Sequence, residues 1–325
     1  MSIIVFDYDW VIFKAACAVE KRFITVKNKK TNEDFKFNNR TELYGNWRKK
    51  DGGWLALQEG ITLDDLEIED DREVEPLANA LQLAKTIIEN TVNDLNGFEY
   101  WGYVSGSSNF RKDICTLLPY KGNRDNLIVP VHRKDVSEYL VKHHNAIRTD
   151  KIEADDAVVM QAYKSIKDKQ SIVCAVNEKD FLGCDGNWWN YDNKTLTKVR
   201  GFGELHRNSK GEVKGTGRMW KYFQVCFSDR VDNYAANCFS PKNNGEVAVY
   251  NRLKDCKNDL EAFSAMKEHF MHLYPEPIEI TNFRGSTFII DWIYVMQEQF
   301  NMAHLHRFKD DFINVREVMK NLGVL

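Results

Sequence analysis

Three carboxylates fall within four positions of the stretch KIEADDAVVM, at Glu153, Asp155 and Asp156, and an apolar run follows at once. Like charges this close repel, and burial raises the cost. A helix start is the plain explanation, since acids suit the positive end of a helix dipole. Three further segments repeat the theme: Asp7 and Asp9 in VFDYDW, Glu178 and Asp180 in NEKDF, and Asp229 and Asp232 with Asn233 in FSDRVDN. Oxygen-rich, histidine-poor clusters suit hard cations such as Mg²⁺ or Mn²⁺. Two such ions about 4 Å apart are the usual device for in-line phosphodiester hydrolysis, one activating a water and the other steadying the leaving oxygen. Taken singly, each acidic pair is an ordinary polar loop or a helix cap. Together they point to one site.

Basic residues lie between these acids. NFRKDI supplies Arg111 and Lys112, and YKGNR supplies Tyr120, Lys121 and Arg124. Lys121 and Arg124 are three apart, which predicts a shared helix face able to grip adjacent phosphates of a nucleic-acid strand. Tyr120 is placed to stack on a base. A solvated basic helix is the alternative reading of this motif.

The elements that must position these residues follow from hydrophobic periodicity. SIIVF (2–6) and SIVCAV (171–176) are apolar throughout, as in central parallel strands. FEYWGYVSG (98–106) is a third strand. The pattern predicts helices over 10–21, 76–95, 136–147 and 153–167, and a helical stretch over 110–124 broken at Pro119. Residues 23–39 and 187–199 read as hairpins, 45–75 as a surface insertion with a solvated acidic run, 201–217 as a loop, and the remainder mostly as helix. Strands alternating with helices imply an α/β fold around a mostly parallel sheet, whose active site lies beyond the strand C-termini. Asp7, Glu178 and Asp180 fall at such ends.

The chain of 325 residues is 43% hydrophobic, enough for a substantial core, and its net charge of −3 excludes a globally basic nucleic-acid glue. Seven scattered cysteines without a C-x-x-C pair indicate reduced thiols and no zinc ribbon. No apolar segment reaches the roughly 20 residues that span a bilayer, and the opening MSIIVF reads as a strand and not as a signal peptide. No G-x-x-x-x-G-K-[ST] loop is present. His269 with His272, and His304 with His306, lack a Cys or Glu framework and read as packed or surface histidines.

The order strand–Asp, FRKDI…YKGNR, EADD, strand–EKD, DRVDN resembles the 5′-nuclease (flap-endonuclease) superfamily, in particular the stand-alone 5′→3′ exonucleases of bacteriophages. The resemblance runs from Ile3 to about Asn233, and the tail QFNMAHLHRF…DDFI is similar to theirs. It implies a PIN-like α/β core over 1–220, with an insertion at about 23–75, a helical arch, and a helical DNA-binding region over 221–325. It implies two Mg²⁺ or Mn²⁺ ions. Asp7, Glu153 and Asp155 match first-metal ligands, with Asp155 between the metals, and Asp156 matches a further acid near them. Glu178 and Asp180 match the D-x-D pair, and Asp229 and Asp232 match second-metal ligands. Lys121 and Arg124 match arch-base residues on the scissile phosphate. The implied substrates are 5′ ends, flaps or nicks of DNA, extending to RNA–DNA hybrids, for a monomer in the cytoplasm of a phage-infected bacterium.

The pattern departs from the family at four places. No carboxylate stands between Tyr103 and Lys112, where the family has an acid, and Asp9 is expected to supply that charge from the first strand. Glu178 replaces an Asp, Ser228 replaces a Gly, and the Gly-rich duplex-binding turn keeps only Gly245. The missing acid favours the alternative of a weakened or inactive nucleic-acid-binding protein on the same fold. The carboxylates that remain favour the enzyme.

Overall fold

The computed structural model describes residues 2–46, 51–124 and 127–325. Part of the expected insertion, at 47–50, lies outside them. The chain divides into two compact units, one of Met1–Trp10, Ile88–Ile128 and Leu140–Leu325, the other of Val11–Ile87 and Val129–Tyr139.

The first unit is built on a six-stranded sheet: β1 (Ser2–Asp7), β2 (Gly97–Val104), β3 (Ala146–Arg148), β4 (Ile172–Val176), β5 (Gly186–Asn190) and β6 (Thr195–Val199). Their spatial order is β3-β2-β1-β4-β5-β6. All neighbours are parallel except β5 and β6, which form the expected hairpin. This is the mostly parallel α/β sheet, flanked by helices, that the alternating pattern predicts. The order reverses at β1, between β2 and β4, and ligands of such sheets bind beyond the strand ends at that crevice. Asp7 ends β1 opposite Tyr103 of β2, and Glu178 follows β4 by two residues.

The apolar strands are buried as their composition demands. Ile4, Val5 and Phe6 are fully enclosed, and so is every residue of β4. Helix α2 (Ala154–Lys167) lays Val158, Val159 and Ala162 on Val5, Ile172 and Cys174. The C-terminal part has an aromatic-rich core including Trp220, Phe223, Phe263, Phe270 and Phe300, the last on α3 (Trp292–Ala303). It is helical as expected, with a β-hairpin at Ile278–Thr281 and Thr287–Ile290. The stretch 201–217, expected as a loop, carries a short hairpin, Leu205–Arg207 with Val213–Gly215.

The second unit contains a three-stranded antiparallel sheet. Glu20–Asn28 and Asp34–Phe37 form the predicted hairpin, but the acidic run is a strand, Leu66–Val74, paired along the full length of Glu20–Asn28. An ion pair joins these two strands, Arg72 to Glu20 at 3.5 Å, and Lys36 and Lys30 reach Glu73 and Asp65 from the adjoining strand and turn. Exposed pairs of this kind are screened by solvent and contribute little to stability.

Two helix boundaries differ from expectation and bear on the site. Helix α1 starts at Tyr8 and ends at Ala18, so Asp9 lies in its first turn and not on the strand. The YKGNR segment is not an α-helix. Lys121 has φ 55° and only Gly122–Arg124 forms a 3-10 turn, because Pro119 denies the preceding turn a backbone donor. Phe110–Ile114 is a single short helix, and the next, Arg133–His143, begins and ends earlier than predicted. No helix among the described residues is long and apolar enough to cross a membrane.

Gly102 sits where β2 passes closest to β1. A Cβ there would stand 2.5 Å from the Phe6 carbonyl oxygen and 2.7 Å from the Tyr8 ring. Gly102→Ala should therefore destabilise the protein by about 1–3 kcal/mol. Chemical denaturation of the two proteins checks this, and equal midpoints would contradict the packing.

Candidate metal and phosphate site

The carboxylates meet at the C-terminal edge of β1 and β4. Asp7 is almost fully buried. Its carboxylate accepts the Asp9 N–H at 3.0 Å and the Trp10 N–H, so the free donors of the α1 N-terminus hold it in place. Burial first, then the charges of Asp9 and Glu178, push its pKa well up. Asp155, in the first turn of α2, is raised well above the usual range by burial and by Glu178, Asp7 and Glu153. Glu178 is exposed as a residue, yet protein surrounds its carboxyl. Desolvation, then Asp180 and Asp232, push it up to about 7. Asp180 rises to about 6, mainly by burial and against the pull of Lys179. Burial also raises Asp232.

The protein's own cations occupy part of this cluster. Lys121 Nζ lies 2.5 Å from Glu153 Oε1 and 3.7 Å from Asp232. Arg124 donates to Asp232 at 2.9 Å, and Lys179 stands 3.1 Å from Asp229. Glu153 is shifted down, since Lys121 and Arg111 outweigh its burial. Lys121 and Arg124 thus converge, though not by sharing a helix face. The loop bearing Lys121 docks on the 229–233 turn instead: Lys121 N–H donates to the Asp232 carbonyl at 3.0 Å, and Asn233 donates to the Pro119 carbonyl at 2.8 Å. Among the described residues neither Asp155 nor Glu178 pairs with a cation.

Three expected roles need correction. Arg111 is not a phosphate contact: it is 2% exposed and makes a two-pronged bond to Asp156 at 2.7 and 2.9 Å. Asp156 is not turned to the acidic cluster, since Arg111, the His306 N–H at 3.0 Å and the Glu153 N–H at 3.2 Å take up its oxygens. Its pKa is low despite burial, because the Arg111 charge prevails. Tyr120 is 5% exposed, with its hydroxyl donating to Glu153 at 2.6 Å, so its ring has no face for a base. Lys112 remains exposed. His304 and His306 are buried, and His304 is held by Asp311 at 2.9 Å.

Asp9 reaches the place of the missing acid by a different route from the one expected. From the first turn of α1 its carboxylate accepts the Ser105 N–H at 3.0 Å, at the end of β2. Ser105 Oγ in turn accepts the Ala154 N–H at 2.9 Å, joining the end of β2 to the start of α2. Ser105, Lys179 and Gln224, which donates to Asp180, belong to the site without having been singled out in the sequence. Only Lys179, inside EKD, carries a local signal.

No family model matches the sequence. No curated protein matches it. In structure the chain is similar to the T5 D15 protein co-crystallized with metal ions, at a TM-score of 0.46 and 14% identity, covering 74% of this chain and 90% of that one.

Among the described residues no three His, Cys, Asp or Glu side chains stand ready, as they are, to hold a metal ion. The donor set nevertheless fits a hard cation: it is all oxygen, drawn from separate segments, and its members are crowded enough to raise one another's pKa. Lys121 and Lys179 occupy Glu153 Oε1 and Asp229 Oδ2, the oxygens that would have to turn to a cation, while Tyr120 and the Val231 N–H hold the other two. Without divalent cations the Asp155 charge should destabilise the fold. Asp155→Asn should raise the melting temperature of the metal-free protein by roughly 2 °C, about 1 kcal/mol. An Asp155→Asn protein that melts below wild type, both in EDTA, would show that Asp155 is paired and not repelled.

Proposed function

We propose that the protein is a metal-dependent 5′→3′ exonuclease or flap endonuclease, hydrolysing phosphodiester bonds at 5′ ends, flaps or nicks of duplex DNA, and in RNA–DNA hybrids. The observation that carries this reading is the crowding of Asp7, Asp155 and Glu178 at the sheet's switch point, with no cation paired to the last two among the described residues. A pair of hard cations there would supply an activated water and stabilise the leaving oxygen. Asp7, Asp9 and Glu153 would hold one ion, Asp229 and Asp232 the other, and Asp155 would lie between them, with Glu178 and Asp180 as the D-x-D pair. Lys121 and Arg124, at the rim and partly exposed, would turn from Glu153 and Asp232 to the scissile phosphate and position it. Exposed Lys112 would add a backbone contact that carries no sequence information. The region 221–325 would bind the duplex beyond the site. We take the protein to act as a monomer, in the cytoplasm of a phage-infected bacterium.

The absent acid near residues 104–106 favours the alternative, an inactive nucleic-acid-binding protein. The Asp9 carboxylate, which accepts the Ser105 N–H at the end of β2, supports the enzyme instead.

End-labelled duplex, with and without Mg²⁺, tests the proposal. Cleavage should proceed from the 5′ end, require Mg²⁺ or Mn²⁺, and fall on the order of 100-fold in Asp155→Asn. Duplex that is bound but never cut would select the inactive reading, and an unimpaired variant would remove Asp155 from the site. Asp9→Ala should raise the Mg²⁺ concentration needed for half-maximal cleavage about tenfold. It should leave duplex binding in EDTA nearly unchanged. A silent substitution would end the idea that Asp9 stands in for the missing acid.

A further inference from the structure

Asp155 and Asp156 are consecutive, yet one faces the acidic cluster and the other is sealed beneath it. The sealed residue belongs to a network that ties distant parts of the chain to the start of α2. Arg111 is its centre. Besides its two bonds to Asp156, its guanidinium lies 3.4 Å from Glu153 Oε2. Its remaining donors go to main-chain carbonyls of the C-terminal segment, Met302 at 3.2 Å and His304 at 2.8 Å. The same segment returns a bond, from the His306 N–H to Asp156. The His306 ring stacks on Phe110, 4.3 Å between centroids, and so grips the residue beside Arg111.

The network touches the first turn of α2 at a decisive point. Glu153 is the N-cap residue of that helix, and Asp156 caps it in return by accepting the Glu153 N–H. Helix starts fray when their free donors lose partners. Glu153 and Asp155 both ride on this turn, so any rotation of it moves both carboxylates together.

We infer that Arg111 is a positioning residue: it clamps the C-terminal segment Met302–His306 onto Asp156 and thereby sets the placing of Glu153 and Asp155. The inference rests on the proposed metal-binding role of those two acids. Its content is that the chain beyond residue 300 completes a site whose acidic residues all lie before residue 233. A purely structural ion pair would make a different demand. Replacing a buried pair by neutral groups of similar size is often harmless to stability, and it would then leave metal binding untouched as well.

The test uses the full chain in three forms: wild type, Arg111→Lys, and Arg111→Met combined with Asp156→Asn. The double variant removes both charges, while the Asn oxygen still accepts from Glu153 or His306. Thermal unfolding and circular dichroism establish the temperature range in which each form is folded. Within it, calorimetry measures Mn²⁺ binding without nucleic acid, and a labelled duplex in EDTA measures binding without metal. The folded double variant should bind Mn²⁺ at least tenfold more weakly than wild type, Arg111→Lys should fall between, and duplex binding should stay within twofold. Should the double variant fail to fold, Arg111→Lys alone decides, since it keeps the charge and loses the two-pronged geometry. Mn²⁺ affinity equal to wild type in the folded variants would overturn the inference and leave the proposed function standing. A large loss of duplex binding in EDTA would also overturn it, by making Arg111 a phosphate contact. A wild-type protein that binds no Mn²⁺ would overturn both.

Discussion

Carboxylates gathered at the open end of the central sheet repel one another, and much of the structure around them answers that repulsion. Two unit charges about 4 Å apart in a partly protein environment repel by roughly 4 kcal/mol. That is a large share of the roughly 5–15 kcal/mol by which a folded domain is stable. The fold distributes the load. Lys121, Arg124 and Lys179 neutralise the outer acids from solvent-accessible positions. Asp7 draws on the free N–H groups at the start of α1. What is left uncompensated concentrates on Asp155 and Glu178.

The two neighbouring aspartates of α2 show how one turn serves two ends. Successive helix residues are rotated by about 100°, so Asp155 and Asp156 cannot share surroundings. Asp156 meets a guanidinium, is fully buried, and stays ionised. Asp155 meets carboxylates that push its pKa up, and no cation among the described residues pairs with it. The buried pair is rigid because every partner is specified, including two carbonyls that only a forked donor can satisfy together. Rigid support under a strained cluster is what a precise constellation needs.

Much of this was legible in the sequence wherever the signal was local. SIIVF and SIVCAV announced strands buried on both faces, and β1 and β4 are adjacent at the centre of the sheet. The acids following them, together with EADD and DRVDN, do come together in space. Local signals also misled. Asp7 both ends the first strand and caps the helix that starts at Tyr8, so the alternation Asp7–Asp9 reads as strand where the chain has already turned into a helix. Spacing alone suggested a helix through Lys121, where Pro119 and a left-handed residue impose a loop. The true setting of Arg111 was beyond reach, since its carbonyl partners lie about 190 positions away in sequence. A basic residue near an apparent phosphate grip looks the same whether its partner is a nucleic acid or its own chain.

The placing of β1 has a consequence for how the polypeptide reaches this state during synthesis. It is a central strand, and both of its neighbours lie downstream, Gly97–Val104 on one side and Ile172–Val176 on the other. Ribosomes add roughly 5–20 residues per second. The strand SIIVFD therefore waits on the order of 10 s or more before its second edge can be covered. Throughout that interval a fully apolar, β-branched segment has an unpaired edge, the kind of surface that seeks other chains. The two acidic residues that close it, Asp7 and then Asp9, put charge beside that edge from the moment it emerges. The same carboxylates that later crowd the site can thus act earlier as gatekeepers against aggregation.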